Sequence, residues 1–511
     1  TIAYTAKRVQ TDVEAAAADD GEDWIVGDVR GDFERLWTIG VESGLGQPVT
    51  DRKLHVERFE WSPDGSKFVI VASERADVDA TMMYSDIYVV DAKGGLANPL
   101  TKHDGKLGDV VWSPDGKTIA FLGALDIHDP TAGVLYVAPA SGGEAKALTA
   151  DYEGTGQWMS WVGNGKILML ANQGVDTAIS MVDIKDGKRR TLQQGGPVCT
   201  DVDVDGRGKA YVCAGSTAKH PREVFSGVVG SGKADRLTNS NPWLDGKELG
   251  EQSAVRWKAE DGLEVEGVLT KPVGYQEGTR YPLAILVHGG PEGVSQAGWN
   301  TRSGYPAQLF AARGYMVLEP NYRGSQGRGV AYSKADQKDL GGKEFTDVLA
   351  GIAHLSKEGL VDEARVGMGG WSYGGYFSGL AATKYSEHFK AAMVGAAITD
   401  WISFTGTTEI EHENSLVHWN LWPWDNFELA WDRSPVAHAK KSKTPTLIVH
   451  GDDDSRVPPG QATELYRALR FFKVATEVVF YPREGHGLHE RAHQIDFQKR
   501  WLDWFDEYVK G

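Results

Sequence analysis

Met368-Gly369-Gly370-Trp371-Ser372-Tyr373-Gly374-Gly375-Tyr376 joins an apolar, strand-like lead, Arg365 to Met368, to a helix-like run, Phe377 to Thr383. Within it Gly370-x-Ser372-x-Gly374 fits a nucleophile elbow, the sharp strand-to-helix turn that lifts one Ser hydroxyl above a parallel sheet. The pattern has a steric cause. Such a turn crowds the backbone, and a Cβ at the flanking positions would clash. The helix that follows aims its first N–H groups at the same spot, which suits a developing oxyanion. In a chain with 62 glycines the motif alone is a weak signal, so its meaning depends on the neighbouring segments.

Those segments alternate strand and helix, the pattern of a mostly parallel, helix-covered sheet. Val255 to Thr270 reads as an antiparallel lead-in hairpin. Strands are predicted at Leu283 to His288, Tyr315 to Glu319, Val366 to Met368, Ala391 to Ala396, Thr446 to His450 and Thr476 to Tyr481. A last helix, Gln494 to Tyr508, carries Phe497, Trp501, Trp504, Phe505 and Tyr508 on one face, a core stripe. In such sheets catalytic side chains sit beyond the carboxyl ends of strands. There the chain offers Asp452-Asp453-Asp454 after one strand and His486 after the next. Ser372, an Asp and His486 follow the chain order of an α/β-hydrolase triad. A Ser hydroxyl is a poor nucleophile until an imidazole takes its proton, and a buried carboxylate then fixes the imidazole tautomer. Spacing does not choose among the three aspartates. His288-Gly289-Gly290-Pro291 ends another strand at the oxyanion-loop position, so the backbone N–H groups of Gly290 and Tyr373 are the expected oxyanion donors.

The first half repeats. Trp61-Ser62-Pro63-Asp64-Gly65 recurs as Trp112-Ser113-Pro114-Asp115-Gly116, and more faintly as Trp161-Val162-Gly163-Asn164-Gly165 and Val204-Asp205-Gly206-Arg207. Each turn is followed by an apolar strand, and each unit closes on a Leu-Thr or similar pair near 50, 101, 149, 192 and 238. Short strands at this period describe β-propeller blades, which must stack because one blade cannot bury both faces. Five repeats are clear, with six or seven blades left open, and Trp24 to Asp28 with the residues before it would complete a blade. The expected architecture is an N-terminal β-propeller, 1–248, followed by a C-terminal α/β-hydrolase domain, 249–511.

The net charge of −17 argues against nucleic acid or an anionic membrane as partner, since both would repel the chain. No apolar run spans a bilayer, and Thr1 to Asp20 lacks a signal-peptide core. The compartment, cytoplasmic or exported, stays open, as does a homo-oligomer. Cys199 and Cys213 sit symmetrically about Gly206 in a predicted hairpin, where opposed positions would allow a disulfide or two reduced thiols. Asp201-x-Asp203-x-Asp205-Gly206 opens like a calcium loop, but its last ligand position falls on Val212.

Taken together the chain resembles the prolyl oligopeptidase family of serine peptidases, in particular its acylaminoacyl-peptidase and dipeptidyl-peptidase branches. The matching residues are His288-Gly289-Gly290-Pro291, Asn321-Tyr322-Arg323-Gly324-Ser325, Gly370-Trp371-Ser372-Tyr373-Gly374-Gly375, His450-Gly451-x-x-Asp454-x-x-Val457-Pro458 and Glu484-Gly485-His486-Gly487. The resemblance implies Asp454 as triad acid. It also implies short peptide substrates admitted to a cavity between two domains, no cofactor and no metal. It places a substrate pocket near Trp401 and Phe404, with Tyr322 a further substrate-binding candidate and Trp419, Trp422 and Trp424 close by. An apolar P1 side chain, or an aromatic domain interface, would account for those tryptophans. No evident match exists for the paired Glu that anchors a substrate amino terminus in dipeptidyl peptidases, Asp23-Trp24 and Glu74-Arg75 being poor substitutes. The expected activity is therefore an acylaminoacyl-peptidase or oligopeptidase acting through an acyl-enzyme. A dipeptidyl aminopeptidase, a carboxylesterase or feruloyl-type esterase, and a binding module with a dead hydrolase domain are the rivals.

Overall fold

The Pro-Asp-Gly turns close in the same way each time. Asp64 Oδ1 accepts hydrogen bonds from Ser62 Oγ and Ser66 N, and Asp115 Oδ1 from Ser113 Oγ and Lys117 N. Gly65 follows at φ 69°, a conformation that costs residues with a Cβ. The turn thus reverses the chain and launches a strand. The computed structural model describes residues 1–7, 11–22, 33–50 and 53–510. The predicted segment Trp24 to Asp28, with Asp23, lies outside them.

Five small antiparallel sheets occupy the first half of the described chain. The first has three strands, Ile2–Lys7, Glu34–Ile39 and Gly46–Pro48. The others have four each and span residues 55–101, 107–147, 155–194 and 198–236. In every one the strands lie side by side in chain order. The strand Lys67–Ser73 is buried at every position after Lys67, so it alternates between two apolar faces. Phe68 and Ile70 pack with Leu36 of the first sheet and with Val49 just past it, whereas Val69 and Val71 pack with Ile119 and Phe121 of the third. Leu168 and Leu170 face Val202, Tyr211 and Phe225 of the fifth sheet in the same manner. The core of this half therefore lies between sheets.

Cys199 and Cys213 are joined as a disulfide within the fifth sheet, their Cα atoms 5.9 Å apart. The expected register needs correction. A bulge between Cys199 and Asp201 sets Cys199 opposite Gly215 and Cys213 opposite Val202, so the two cysteines are diagonal neighbours.

The second half forms one sheet of eight strands: β1 (Gln252–Lys258), β2 (Glu264–Thr270), β3 (Tyr281–Val287), β4 (Met316–Asn321), β5 (Val361–Trp371), β6 (Ala391–Gly395), β7 (Thr446–Gly451) and β8 (Thr476–Tyr481). Their spatial order is β1-β2-β4-β3-β5-β6-β7-β8. β1 pairs antiparallel with β2 and β2 antiparallel with β4, so β2 runs against its neighbours, and β3 to β8 run parallel. One face packs Ile285 and Met368 under the helices α1 (Lys343–Lys357) and α2 (Tyr373–Ala382), through Phe345 and Phe377. The other packs Ala284 and Leu286 under α3 (Arg491–Phe505), through Phe497, Trp501 and Phe505.

The two halves meet through hydrogen bonds as well as packing. Gly174 N donates to Gly327 O, Gly327 N to Thr155 Oγ1, and Ala297 N to Val175 O. Farther along, Asp79 accepts from the backbone of His412 and Glu413, and Lys106 reaches the Glu413 carboxylate. Asp79 thereby caps a short helical turn from across the interface.

Candidate active site

β5 ends at Trp371 and α2 begins at Tyr373, leaving Ser372 alone at the turn with φ 61° and ψ −122°. A non-glycine residue there costs about 1–3 kcal/mol, tolerated because the surroundings over-determine it. Ser372 N donates to Gly395 O at the end of β6, at 2.9 Å. A Cβ on Gly374 would lie 1.9 Å from Val287 O, and one on Gly370 would lie 2.4 Å from the same atom. The glycines let the helix start press against β3, and this proximity aims its amides at the serine. The Tyr373 N–H belongs to that first turn, whose donors have no intrahelical acceptor.

Ser372 Oγ lies 2.9 Å from His486 Nε2, and His486 Nδ1 lies 2.8 Å from Asp454 Oδ2. The three side chains come from the loops after β5, β8 and β7. Asp454 is buried, and its other oxygen accepts from the amides of Arg456 and Val457 at 3.0 and 2.9 Å. Burial alone would raise its pKa. Hydrogen bonds from His450 and His486, the charge of His486 and the Val457 amide outweigh that and hold the carboxyl well below the usual range. An ionised carboxylate only accepts, so His486 carries its proton on Nδ1 and leaves Nε2 free to accept from Ser372. The other aspartates of the triplet, Asp452 and Asp453, are exposed, so the position that the resemblance implied, Asp454, is the one in contact with the imidazole.

The loop after β3 carries Gly290 beside the elbow, where a Cβ on Gly289 would come within 3.1 Å of Ser372 Cβ. The segment Asn321 to Ser325 holds this loop in place. The Tyr322 hydroxyl donates to His288 O and is within 3.3 Å of Pro291 O, bracketing Gly290. Asn321 bonds both backbone groups of Ser295, and Ser325 Oγ lies 3.0 Å from His288 Nε2. Burial lowers the His288 pKa to about 4, so this imidazole is neutral. Arg323 anchors the segment through Asp347 and Asp261. Two further supports carried no sequence signal. Trp371 Nε1 donates to His486 O at 2.7 Å, and the Tyr373 hydroxyl donates to the buried Glu344 at 2.5 Å. Each fixes a site residue from behind.

Trp401 and Phe404, expected near a substrate pocket, are 0 % and 1 % exposed. They pack in the core with Trp419 and the elbow helix, Trp401 edge-on to Tyr376 and 6.4 Å from the Tyr373 ring. Tyr322 is also fully buried, facing the loop it tethers and the ring of Phe377. All three side chains are covered by other residues. Glu484, Glu490 and His493 bring ligand-type atoms within 4.8 Å of one another. Glu484 already accepts from the amides of His489 and Glu490 and from His493 Nδ1.

Residues 300–511 match the model of the prolyl oligopeptidase family. A dipeptidyl-peptidase 5 of Porphyromonas gingivalis is 26% identical over 468 residues, covering 89% of this chain and 67% of the relative. An uncharacterised peptidase, YuxL, of Bacillus subtilis is 26% identical over 587 residues, covering 95% and 88%. Among solved structures, the acylaminoacyl peptidase of Pyrococcus horikoshii superposes with a TM-score of 0.81 at 24% identity. It covers 99% of this chain and 80% of that one, a likeness of fold.

Proposed function

We propose that the chain is a serine peptidase of the prolyl oligopeptidase family, whose model matches residues 300–511, with the following mechanism and division of labour along it. Ser372 Oγ attacks the scissile carbonyl while its proton passes to His486 Nε2. The C–N bond then breaks, and the same proton leaves on the departing amine. Water enters, loses a proton to His486 and attacks the acyl carbon. The ester bond breaks and Ser372 recovers its hydrogen. Asp454 keeps the imidazole in the accepting tautomer and stabilises its charged form. The amides of Gly290 and Tyr373 hold the oxyanion. The observation that carries this reading is the continuous hydrogen-bond chain Ser372–His486–Asp454, at 2.9 and 2.8 Å.

On this reading the five small sheets are blades of a β-propeller, residues 1–248, and the eight-stranded sheet is an α/β-hydrolase domain, 249–511. Peptides react between the two, and the stacked sheets screen out folded chains. Trp401, Phe404 and Tyr322 position the Tyr373 amide and the Gly290 loop. Short peptides are the proposed substrates, cleaved in the manner of an acylaminoacyl-peptidase or oligopeptidase. The relative named as a dipeptidyl-peptidase supports a second reading, removal of dipeptides from a free amino terminus. Peptide libraries with free and acetylated amino termini, read by mass spectrometry, separate the two. Ser372→Ala is expected to abolish labelling by a fluorophosphonate with the melting temperature unchanged. Labelling at the wild-type rate would refute the assignment of the nucleophile.

A further inference from the structure

Beside the nucleophile's turn lies a cavity of about 450 Å³ walled by both halves of the chain. Arg222 enters it from the disulfide-linked sheet, and Asn300, Arg302, Tyr305 and Glu319 from the other side. Its position relative to the reacting atoms follows from shared neighbours. His288, which lines the cavity, leads directly into Gly289 and Gly290. Tyr305 and Trp371 pack in one cluster on the sheet face that carries α3. Trp371 in turn donates to the His486 carbonyl. The cavity therefore adjoins, through Tyr305 and Trp371, the segment that holds His486, and a departing amine must come close to His486, which hands it the proton.

The chemistry of the walls is anion-binding. The chain carries 71 acidic side chains against 54 lysines and arginines. Even so, neither Arg222 nor Arg302 is ion-paired among the described residues. Both are exposed, and the Arg302 guanidinium rests on the Tyr305 ring, 4.8 Å from its centre. Glu319 Oε2 accepts from Asn300 Nδ2 at 2.9 Å. Burial pushes the Glu319 carboxyl up to about 8, against Asn300 and Arg302. At neutral pH it is therefore mostly protonated and offers a hydrogen-bond donor in place of a repelling charge. Two unpaired guanidiniums and neutral polar walls suit a planar carboxylate.

We propose that this cavity holds the carboxy-terminal carboxylate of the departing fragment, bound by Arg222 and Arg302, so that bonds close to a free C terminus are cleaved preferentially. The proposal rests on the peptidase reading above and adds the leaving-group side of its specificity. A side chain of the substrate would enter the same cavity with its terminal carboxylate on the two arginines.

The test compares matched acetylated peptides that differ only in ending as a free acid or a carboxamide one or two residues past the scissile bond. In the wild-type protein kcat/KM is expected to be about tenfold or more higher for the acid, the worth of a charge-assisted contact. In Arg222→Gln and Arg302→Gln that ratio is expected to fall towards one, and Arg302→Lys should restore part of it. Equal rates for acid and amide in the wild-type protein would overturn the proposal, as would a ratio unchanged in both Gln variants. A p-nitroanilide substrate and fluorophosphonate labelling are run alongside. If those also fail, the catalytic reading falls and takes this proposal with it. If they succeed while acid and amide are equal, only the cavity's role is lost.

Discussion

Asp454→Asn changes one atom of a carboxylate that faces four donors. In the wild-type protein one carboxylate oxygen accepts from the amides of Arg456 and Val457, at 3.0 and 2.9 Å. The other accepts from His486 Nδ1 at 2.8 Å, with His450 Nε2 3.4 Å away. A carboxamide has one oxygen, so it serves one side only. Turning its NH2 toward Arg456 and Val457 leaves two buried amides facing donors, at about 1–3 kcal/mol each. The oxygen therefore stays on the backbone and the NH2 faces His486. The imidazole must then move its proton to Nε2, where it meets the Ser372 hydroxyl and cannot accept from it. A wrong tautomer of this kind lowers kcat about 10⁴-fold, equivalent to about 5 kcal/mol of barrier. The two backbone bonds survive, so the melting temperature should move little and KM should stay near its wild-type value. Steady-state kinetics on a p-nitroanilide, with thermal melts on the same samples, measure both. A fall in kcat of less than about tenfold in a folded variant would refute the tautomer argument.

Gly374→Ala places a methyl 1.9 Å from Val287 O; the elbow cannot form around it, and loss of soluble protein or a large drop in melting temperature is expected, whereas a stable, active variant would refute the packing account. The Cys199–Cys213 bridge closes a short loop, with a sequence separation of 14, and replacing both cysteines by serine should lower stability by about 3 kcal/mol in urea titrations; an unchanged midpoint would count against a bridge in solution. His418 is buried, which lowers its pKa, but Glu292 and Glu413 on either side raise it to about 10. A raised folded-state pKa means stability fully present below about 6.5 and lost as pH rises through about 10, with a slope of up to about 1.4 kcal/mol per pH unit. Urea midpoints of the wild type and His418→Gln should therefore converge over that range, and parallel curves would sink the assignment.

Much of the second half was legible because strands buried on both faces read as unbroken apolar runs, and Leu283 to His288 is one. The elbow was legible because its glycines answer to contacts with Val287 that no other residue permits. The Pro-Asp-Gly turns were legible because Pro, Asp and Gly each have a separate task within four residues. The register of the Cys199 hairpin was not, since a bulge at one residue moves every later pair and leaves no mark in composition. The tethering of Gly290 by Tyr322 was hidden for another reason: the motif could be quoted, but which atoms a buried hydroxyl meets depends on strands brought together only in the fold. Trp401 and Phe404 stayed ambiguous for a related cause. Large aromatics beside a reacting centre look the same in sequence whether they line a void or fill it.

Every small sheet is made from one unbroken length of chain, with its strands side by side in the order in which they are synthesised. Among the described residues no strand is lent from one sheet to another. Duplication or deletion of a stretch of chain between two closing pairs would therefore insert or remove a whole sheet without cutting any ladder. The array in front of a serine hydrolase can in this way lengthen or shorten by gene-level steps, while the hydrolytic half keeps its geometry.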